Sequence, residues 1–277
     1  MNHPRIRRPA LAVAAISLVS LLVAGSAVSG AAAASWSPPP TTGFVDYQLG
    51  GSYAVPAGVT VVGRDSTSSP AKGVYSICYI NGFQSQPADH SYWTRQHKSL
   101  LLYRGGKPIV DANWPDELIL NTSTASKRAS IAKHYERSIA ACAKKGFAAI
   151  EIDNLDSFTR SRGRLNAHDN KELAKLYARS AHAHGMAIAQ KNTAEFARTW
   201  KKAVGFDFAV AEECYRWDEC GVYKKAYGSK VIDIEYTDDL RGTFAKACAD
   251  PDSPALMALR DRDLRTPKSK HYRYDHC

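Results

Sequence analysis

The chain is 277 residues long, 44% hydrophobic and 23% charged, with a formal net charge of +10. Such a charge ordinarily points to an anionic partner such as nucleic acid or a cell-wall polymer. Here the basic residues are spread over helix-like stretches and the C-terminal "RTPKSKHYRYDHC", with no nucleic-acid module among them, which reads as a solvated basic surface and argues against nucleic acid.

Along the chain, Arg5, Arg7 and Arg8 precede the apolar run "LAVAAISLVSLLVAG", which gives way to the small residues "AVSGAAAA". That layout predicts a secretory signal peptide over 1–34, removed near Ala34, with a secreted product and no stable membrane anchor afterwards. Residues 35–43, "SWSPPPTTG", read as a stiff, poorly ordered lead-in. The roughly 243 residues beyond the signal suit one large α/β barrel or two small domains, and no low-complexity break divides them. One domain over 44–260 is expected, with 261–277 as an unassigned basic tail.

Eight short apolar runs then recur, each ending in polar residues: "GFVDYQ", "VTVVGRD", "VYSICYING", "KPIVDANW", "FAAIEIDN", "MAIAQKN", "FDFAVAEEC" and "KVIDIEY". Their shortness and their Val and Ile content predict strands. Between the later runs lie three amphipathic helices, with stripes at Ile131, Tyr135 and Ile139, at Leu173, Leu176, Tyr177 and Ala181, and at Phe196, Trp200 and Val204. Each closes on a glycine, Gly146, Gly185 or Gly205, after basic residues in its last turn. Strand then helix, repeated without a long break, predicts an α/β fold of the (β/α)8 TIM-barrel type. The alternative is an open doubly wound sheet, but "LGGSYAVPAG" after the first run does not fit the glycine-rich phosphate turn, so no nucleotide cofactor is expected.

Six cysteines, all beyond the signal, suit disulfides in an oxidising compartment. Cys214 and Cys220 are the expected pair, since five intervening residues close a compact loop just past a strand. A metal site is the weaker reading, as no CxxC and no histidine at ligand spacing accompany them.

A barrel gathers its C-terminal strand ends around one mouth. The residues there include Asp46, Tyr79, Asn81, Trp114, Glu151, Asp153, Asn154, Lys191, Asn192, Glu212, Glu213, Tyr215, Glu235 and Tyr236. Carboxylates and amides can hydrogen-bond sugar hydroxyl or amino groups, and Tyr and Trp faces pack on a sugar ring. Glycosidic hydrolysis needs two carboxyl groups, and Asp153 with a glutamate of the "AEE" strand could supply them. Alternation along that strand leans toward Glu213 facing inward, unless a bulge at the strand end reverses it. Taken singly, an acidic residue at a strand end is more often a helix cap or a surface ion pair.

The motifs "DYQLGGSY" at 46–53, "CYINGFQSQP" at 78–87, "WPDELIL" at 114–120, "EIDNLDSF" at 151–158, "QKN" at 190–192, "EECYRWDEC" at 212–220 and "IEY" at 234–236 stand in this order over roughly residues 44–240. In this they resemble the family-114 glycoside hydrolases, whose type activity is endo-α-1,4-polygalactosaminidase. The resemblance implies a (β/α)8 barrel with catalytic carboxylates after strands five and seven, Asp153 as nucleophile and Glu212 rather than Glu213 as general acid/base in a retaining mechanism. Ile152 departs from the proline often found before that aspartate. The reading implies a monomeric secreted hydrolase of an α-linked galactosamine polymer, with no metal or organic cofactor. Free amines on that polymer would pair with Asp46, Glu151 or Glu235. The alternative is a non-catalytic, carbohydrate-binding, cell-wall-associated protein using the same mouth.

Overall fold

A computed structural model describes residues 35–277; the signal-like segment 1–34 lies outside the described residues. Three parallel strands open the chain: β1 (Phe44–Gln48), β2 (Val59–Asp65) and β3 (Tyr75–Asn81). A long connection follows, with α1 (His90–Gln96) and a small antiparallel ribbon, β4 (Tyr103–Arg104) on β5 (Lys107–Pro108). Strand and helix then alternate: α2 (Ala125–Lys145), β6 (Ala149–Asp153), α3 (Ala167–Ala183), β7 (Ala187–Lys191), α4 (Ala197–Trp200), β8 (Phe208–Glu212), α5 (Cys220–Tyr227), β9 (Val231–Tyr236), α6 (Phe244–Ala249) and β10 (Leu256–Arg260). A last short strand, β11 (Tyr274–His276), runs antiparallel to β10.

The helix boundaries follow from the side chains that end them. Thr124 caps α2 by accepting the Lys127 N–H, and Gly146 ends it at φ 93°, a left-handed turn that glycine takes without strain. Asn166 and Asp169 form a reciprocal capping box at the start of α3. Ile131, Tyr135 and Ile139 of α2 and Leu173, Tyr177 and Ala181 of α3 are buried, as the sequence stripes predict, while Leu176 is half-buried.

Eight parallel strands, in the order β1-β2-β3-β6-β7-β8-β9-β10, make a nearly closed TIM barrel, and β11 extends the sheet beyond β10. Two strand assignments differ from the sequence reading. "KPIVDANW" is not a barrel strand: Lys107–Pro108 pairs with β4, Val110 bridges Leu118, and β3 lies directly against β6. The eighth barrel strand is instead "LMALR", which has neither Val nor Ile to announce it. Counted around the barrel, Asp153 and Glu212 therefore end the fourth and sixth strands, not the fifth and seventh.

The barrel interior explains a second difference. Ala149, Ala187 and Ala189 are small inward residues on β6 and β7, and the space they leave is filled by Phe208 and Val210 of β8. Because β8 turns these large residues inward, its inward series ends at Glu212, and Ala209 and Ala211 face the helices. Glu213 falls outside the strand, in the left-handed conformation at φ 63°.

At the barrel seam, β11 occupies the edge of β10 that would otherwise meet β1. The gap is bridged by side chains: buried Arg260 donates to the Tyr47 carbonyl and to Asp46, and the Tyr274 hydroxyl donates to the Val45 carbonyl at 3.1 Å. The basic segment 261–277 is thus joined to the wall, and its last residue, Cys277, is bonded to Cys248. The lead-in is tied as well. The Trp36 ring stacks on His182 with centroids 3.9 Å apart, and its indole N–H donates to Asp207 at 2.9 Å. The other disulfides are Cys78–Cys142, from β3 to α2, and the expected Cys214–Cys220. Among the described residues no helix is long and apolar enough to cross a membrane.

Candidate functional site

The strand ends open into a polar cavity of about 370 Å³. Its floor is organised by one ammonium group. The Lys191 Nζ, at the last position of β7, lies 3.1 Å from Glu151 Oε1, 3.0 Å from Asp153 Oδ1 and 3.1 Å from Glu212 Oε2. Each of these carboxyl groups also accepts a tyrosine hydroxyl: Tyr47 to Glu151 at 2.5 Å, Tyr79 to Asp153 at 2.6 Å and Tyr236 to Glu212 at 2.5 Å. Tyr47 fits inside the barrel because Gly63 on β2 has no side chain; a Cβ there would stand 2.6 Å from the ring.

The three strand ends share one backbone device. Asn154, Asn192 and Glu213, which follow β6, β7 and β8, all adopt left-handed φ values of 61°, 48° and 63°. The chain turns sharply away just past each functional side chain, leaving that side chain at the rim of the wall. Asn192 then ties two strands together: its Oδ1 accepts the Glu212 N–H at 2.8 Å and its Nδ2 donates to Glu212 Oε2 at 3.2 Å.

Electrostatics separate the carboxyl groups. Burial alone would raise the Asp153 carboxyl, but the Lys191 charge, the Tyr79 hydroxyl and the Asn154 N–H hold it below its ordinary value. Burial pushes the Glu151 carboxyl up to about 7, against the opposing pull of Lys191. Burial would discharge Lys191, but Asp153, Glu212 and Glu151 together hold its ammonium well above the usual value.

Of the residues singled out in the sequence, Tyr79, Asn81, Trp114, Asp153, Asn154, Lys191, Asn192, Glu212 and Tyr236 line the cavity. Trp114 is 53% exposed and stands as a loop wall. Four others do not line it. Asp46 and Glu235 sit at the outward parity of β1 and β9, and both are buried. Asp46 is bound by Arg260, Gln48 and Tyr53, and Glu235 accepts the Tyr215 and Arg216 N–H groups. Tyr215 lies beyond the strand, its ring beneath the Arg241 guanidinium at 4.5 Å. Glu151 faces inward but one layer below Asp153, so it reaches Lys191 and not the cavity.

Further carboxylates line the same cavity. Glu117 lines the cavity, accepts amide hydrogens from Asn81 at 2.8 Å and Asn154 at 3.4 Å, and is pushed up to about 7 chiefly by burial. It lies in the long connection before α2, three residues past the end of the run "KPIVDANW". Asp65, Asp111, Asp156 and Glu213 also line the cavity, as do Arg160 and Arg262. Arg160 neutralises Asp111 at 2.5 Å and Asp156 at 2.7 Å, and Arg262 neutralises Glu213 at 2.8 Å. Among the described residues Asp65 and Glu117 are the two lining carboxylates with no Lys or Arg nitrogen within 4.0 Å. The sulfurs of Cys214 and Cys220 and a carboxylate oxygen of Asp233 lie within 4.8 Å of one another, but the sulfurs are bonded to each other and offer no thiolate to a metal.

With this geometry in hand, comparison with known proteins gives a family and a fold. The family model described as glycoside-hydrolase family GH114 matches residues 25–277. Among solved structures, Ega3 of Aspergillus fumigatus, in complex with galactosamine, superposes with a TM-score of 0.66 at 20% identity, covering 88% of this chain and 98% of that one. The glycoside hydrolase domain of PelA from Pseudomonas aeruginosa gives 0.55 at 15% identity, covering 80% of this chain and 96% of that one. At these identities the likeness is one of fold. No curated protein matches the sequence.

Proposed function

The chain belongs to glycoside-hydrolase family GH114, and from that premise we propose that it cleaves an α-1,4-linked galactosamine polymer with retention, using Asp153 as nucleophile and Glu212 as general acid/base. The observation that carries this reading is the shared lysine. Because Asp153 Oδ1 and Glu212 Oε2 lie 3.0 and 3.1 Å from one Nζ, they are at most about 6 Å apart, which fits the roughly 5 Å carboxyl spacing of retaining enzymes better than the wider inverting range. Asp153, kept ionised by Lys191 and Tyr79, suits attack on the anomeric carbon, while Glu212 protonates the departing oxygen and later deprotonates the incoming water.

The preference for amine-bearing sugar is supported by the charge of the cavity wall. Seven carboxylates and three cations line it, a local excess of negative charge on a chain of net +10. Asp46 and Glu235 cannot meet a substrate amine from the outward face, so that role passes to Asp65 and Glu117, which have no cation of their own. The galactosamine in the Ega3 complex is in keeping with this assignment. We further propose a single exported catalytic domain, in keeping with its three disulfides.

The test is a count of reducing ends released from deacetylated and acetylated α-1,4-galactosaminan. Asp153→Asn and Glu212→Gln should each lower kcat by about 10²- to 10⁴-fold with glycan binding kept. Full activity in either variant sinks the assignment, cleavage of the acetylated chain alone sinks the amine preference, and first-formed β-anomer seen by proton NMR sinks retention.

A further inference from the structure

On the reading that the chain cleaves a galactosamine polymer at Asp153 and Glu212, we infer that Trp217 is an outer sugar subsite, its indole face seating a galactosamine unit of the same polymer beyond the units held in the cavity. Among the described residues three tryptophans are exposed, Trp36, Trp114 and Trp217, and Trp217 is the most exposed at 56%. Trp36 lies at the other end of the barrel, stacked on His182. Trp114 and Trp217 both stand on connections that leave the C-terminal strand ends, after β3 and β8, the third and sixth of the eight barrel strands. The ends of β6 and β8, which bear Asp153 and Glu212, lie on the path between them. A glycan laid from Trp114 to Trp217 passes over the reacting pair. Because Trp217 does not line the cavity, the unit it meets is a more distant one.

Single exposed apolar side chains are common on protein surfaces. Trp217 differs in how firmly its loop is fixed. The Cys214–Cys220 disulfide closes the loop. Two buried carboxylates of β9 then hold its backbone: Asp233 accepts the Cys214 N–H at 3.0 Å, and Glu235 accepts those of Tyr215 and Arg216 at 2.8 and 3.3 Å. The Trp217 N–H donates to the Glu213 carbonyl at 3.0 Å, and the Glu219 N–H to the Cys214 carbonyl at 2.7 Å. An aromatic side chain on so rigid a base loses little freedom when a ligand settles on it. One indole face carries the Arg216 guanidinium, 4.7 Å from the ring and itself held by Asp239 at 3.0 Å. The exposed remainder is a flat apolar surface of the kind on which the apolar side of a sugar ring packs. Its surroundings suit a sugar bearing an amine. The segment 213–219 holds Glu213, Asp218 and Glu219 against Arg216 alone, and the Asp218 side chain, next in the chain to Trp217, is 86% exposed with Arg241 at 3.6 Å.

The test is a ladder of deacetylated α-1,4-galactosamine oligomers of increasing length. Trp217→Ala should match the parent on the shortest oligomers that are cleaved and fall behind on long ones by about 3- to 10-fold in kcat/KM, through KM with kcat kept. Trp217→Tyr retains an aromatic face and should recover most of that loss. An equal loss at every length would assign Trp217 a structural role, and identical profiles at every length would leave it without contact; either result overturns the inference. A second measurement needs no change at Trp217. In Asp153→Asn, the indole N–H signal of Trp217 should shift when long oligomers are added and stay in place with the shortest, and a signal unmoved by any length overturns the inference as well. A parent enzyme that cuts no galactosamine polymer overturns the substrate reading and this subsite with it, whereas an active parent that Trp217→Ala follows at all lengths overturns the subsite alone.

Discussion

Glu117 couples the cavity wall to the stability of the fold. Its carboxyl is pushed from 4.5 up to about 7, so the folded state binds a proton that the unfolded chain releases near its ordinary value. The sign follows: the stabilisation is complete below about 4.5 and is lost as the pH rises through about 7. The melting temperature should therefore fall between pH 5 and pH 8, and Glu117→Gln should flatten part of that slope; an unchanged slope in the variant would remove Glu117 from the account. Glu151, pushed up to the same value, contributes in the same direction. Glu212 and Glu213 teach the complementary lesson. Alternation counted from the small residues of β6 favours Glu213, and the motif "EECYRWDEC" favours Glu212. The structure turns Glu212 to Lys191, because Phe208 and Val210 fill the room left by three alanines on the neighbouring strands, a packing relation that no single strand records.

At the scale of the element, the strand ends were legible and the strand count was not. "AIEID", "AIAQK" and "FAVAE" are short, apolar and followed by polar residues, and each is a barrel strand. "KPIVDANW" carries the same signal, yet after Gly105 and Gly106, with Pro108 lacking an N–H, it makes a two-residue ribbon and an isolated bridge from Val110 to Leu118, outside the barrel. Parity accounts for the misplaced candidates: Asp46 and Glu235 alternate outward with their strands, and strand-end position alone does not reveal the face. The left-handed residues after β6, β7 and β8 are a property of the element, and Asn192 tests it. Asn192→Ala loses the clamp on Glu212 and also strains the backbone at φ 48°, whereas Asn192→Gly loses only the clamp. Chemical denaturation should find the alanine variant less stable than the glycine variant by about 1 kcal/mol, with activity reduced in both. Equal stabilities would mean that the conformation exerts no strain.

For the molecule as a whole, charge is distributed against the average. The chain is +10, and the mouth holds an excess of carboxylates. Encounter with a cationic polymer is then favoured at the mouth and opposed elsewhere on the surface, and both effects weaken as the Debye length falls from about 10 Å at 0.1 M salt to about 3 Å at 1 M. With a deacetylated substrate kcat/KM should vary with ionic strength several-fold, and with a fully acetylated one it should stay nearly level; equal response from both substrates would mean that the mouth does not read charge. The segment 261–277 shows what composition hides at this scale. Its lysines and arginines leave it an unassigned basic tail in the sequence, but Tyr274, Cys277 and Arg262 tie it to β1, α6 and the cavity rim.

The way Arg260 and Tyr274 bridge β1 gives the wall an uneven resistance to opening. The carbonyls of Val45 and Tyr47 point across the seam, and the N–H groups of the same residues point with them, toward a neighbour that offers side chains in place of a ladder. In heavy water these two amides should take up deuterium well before those of β7 and β8 inside the sheet. Breathing of the cylinder would begin there, at the wall opposite the acid and its lysine, so that the floor of the mouth stays rigid while the far side yields.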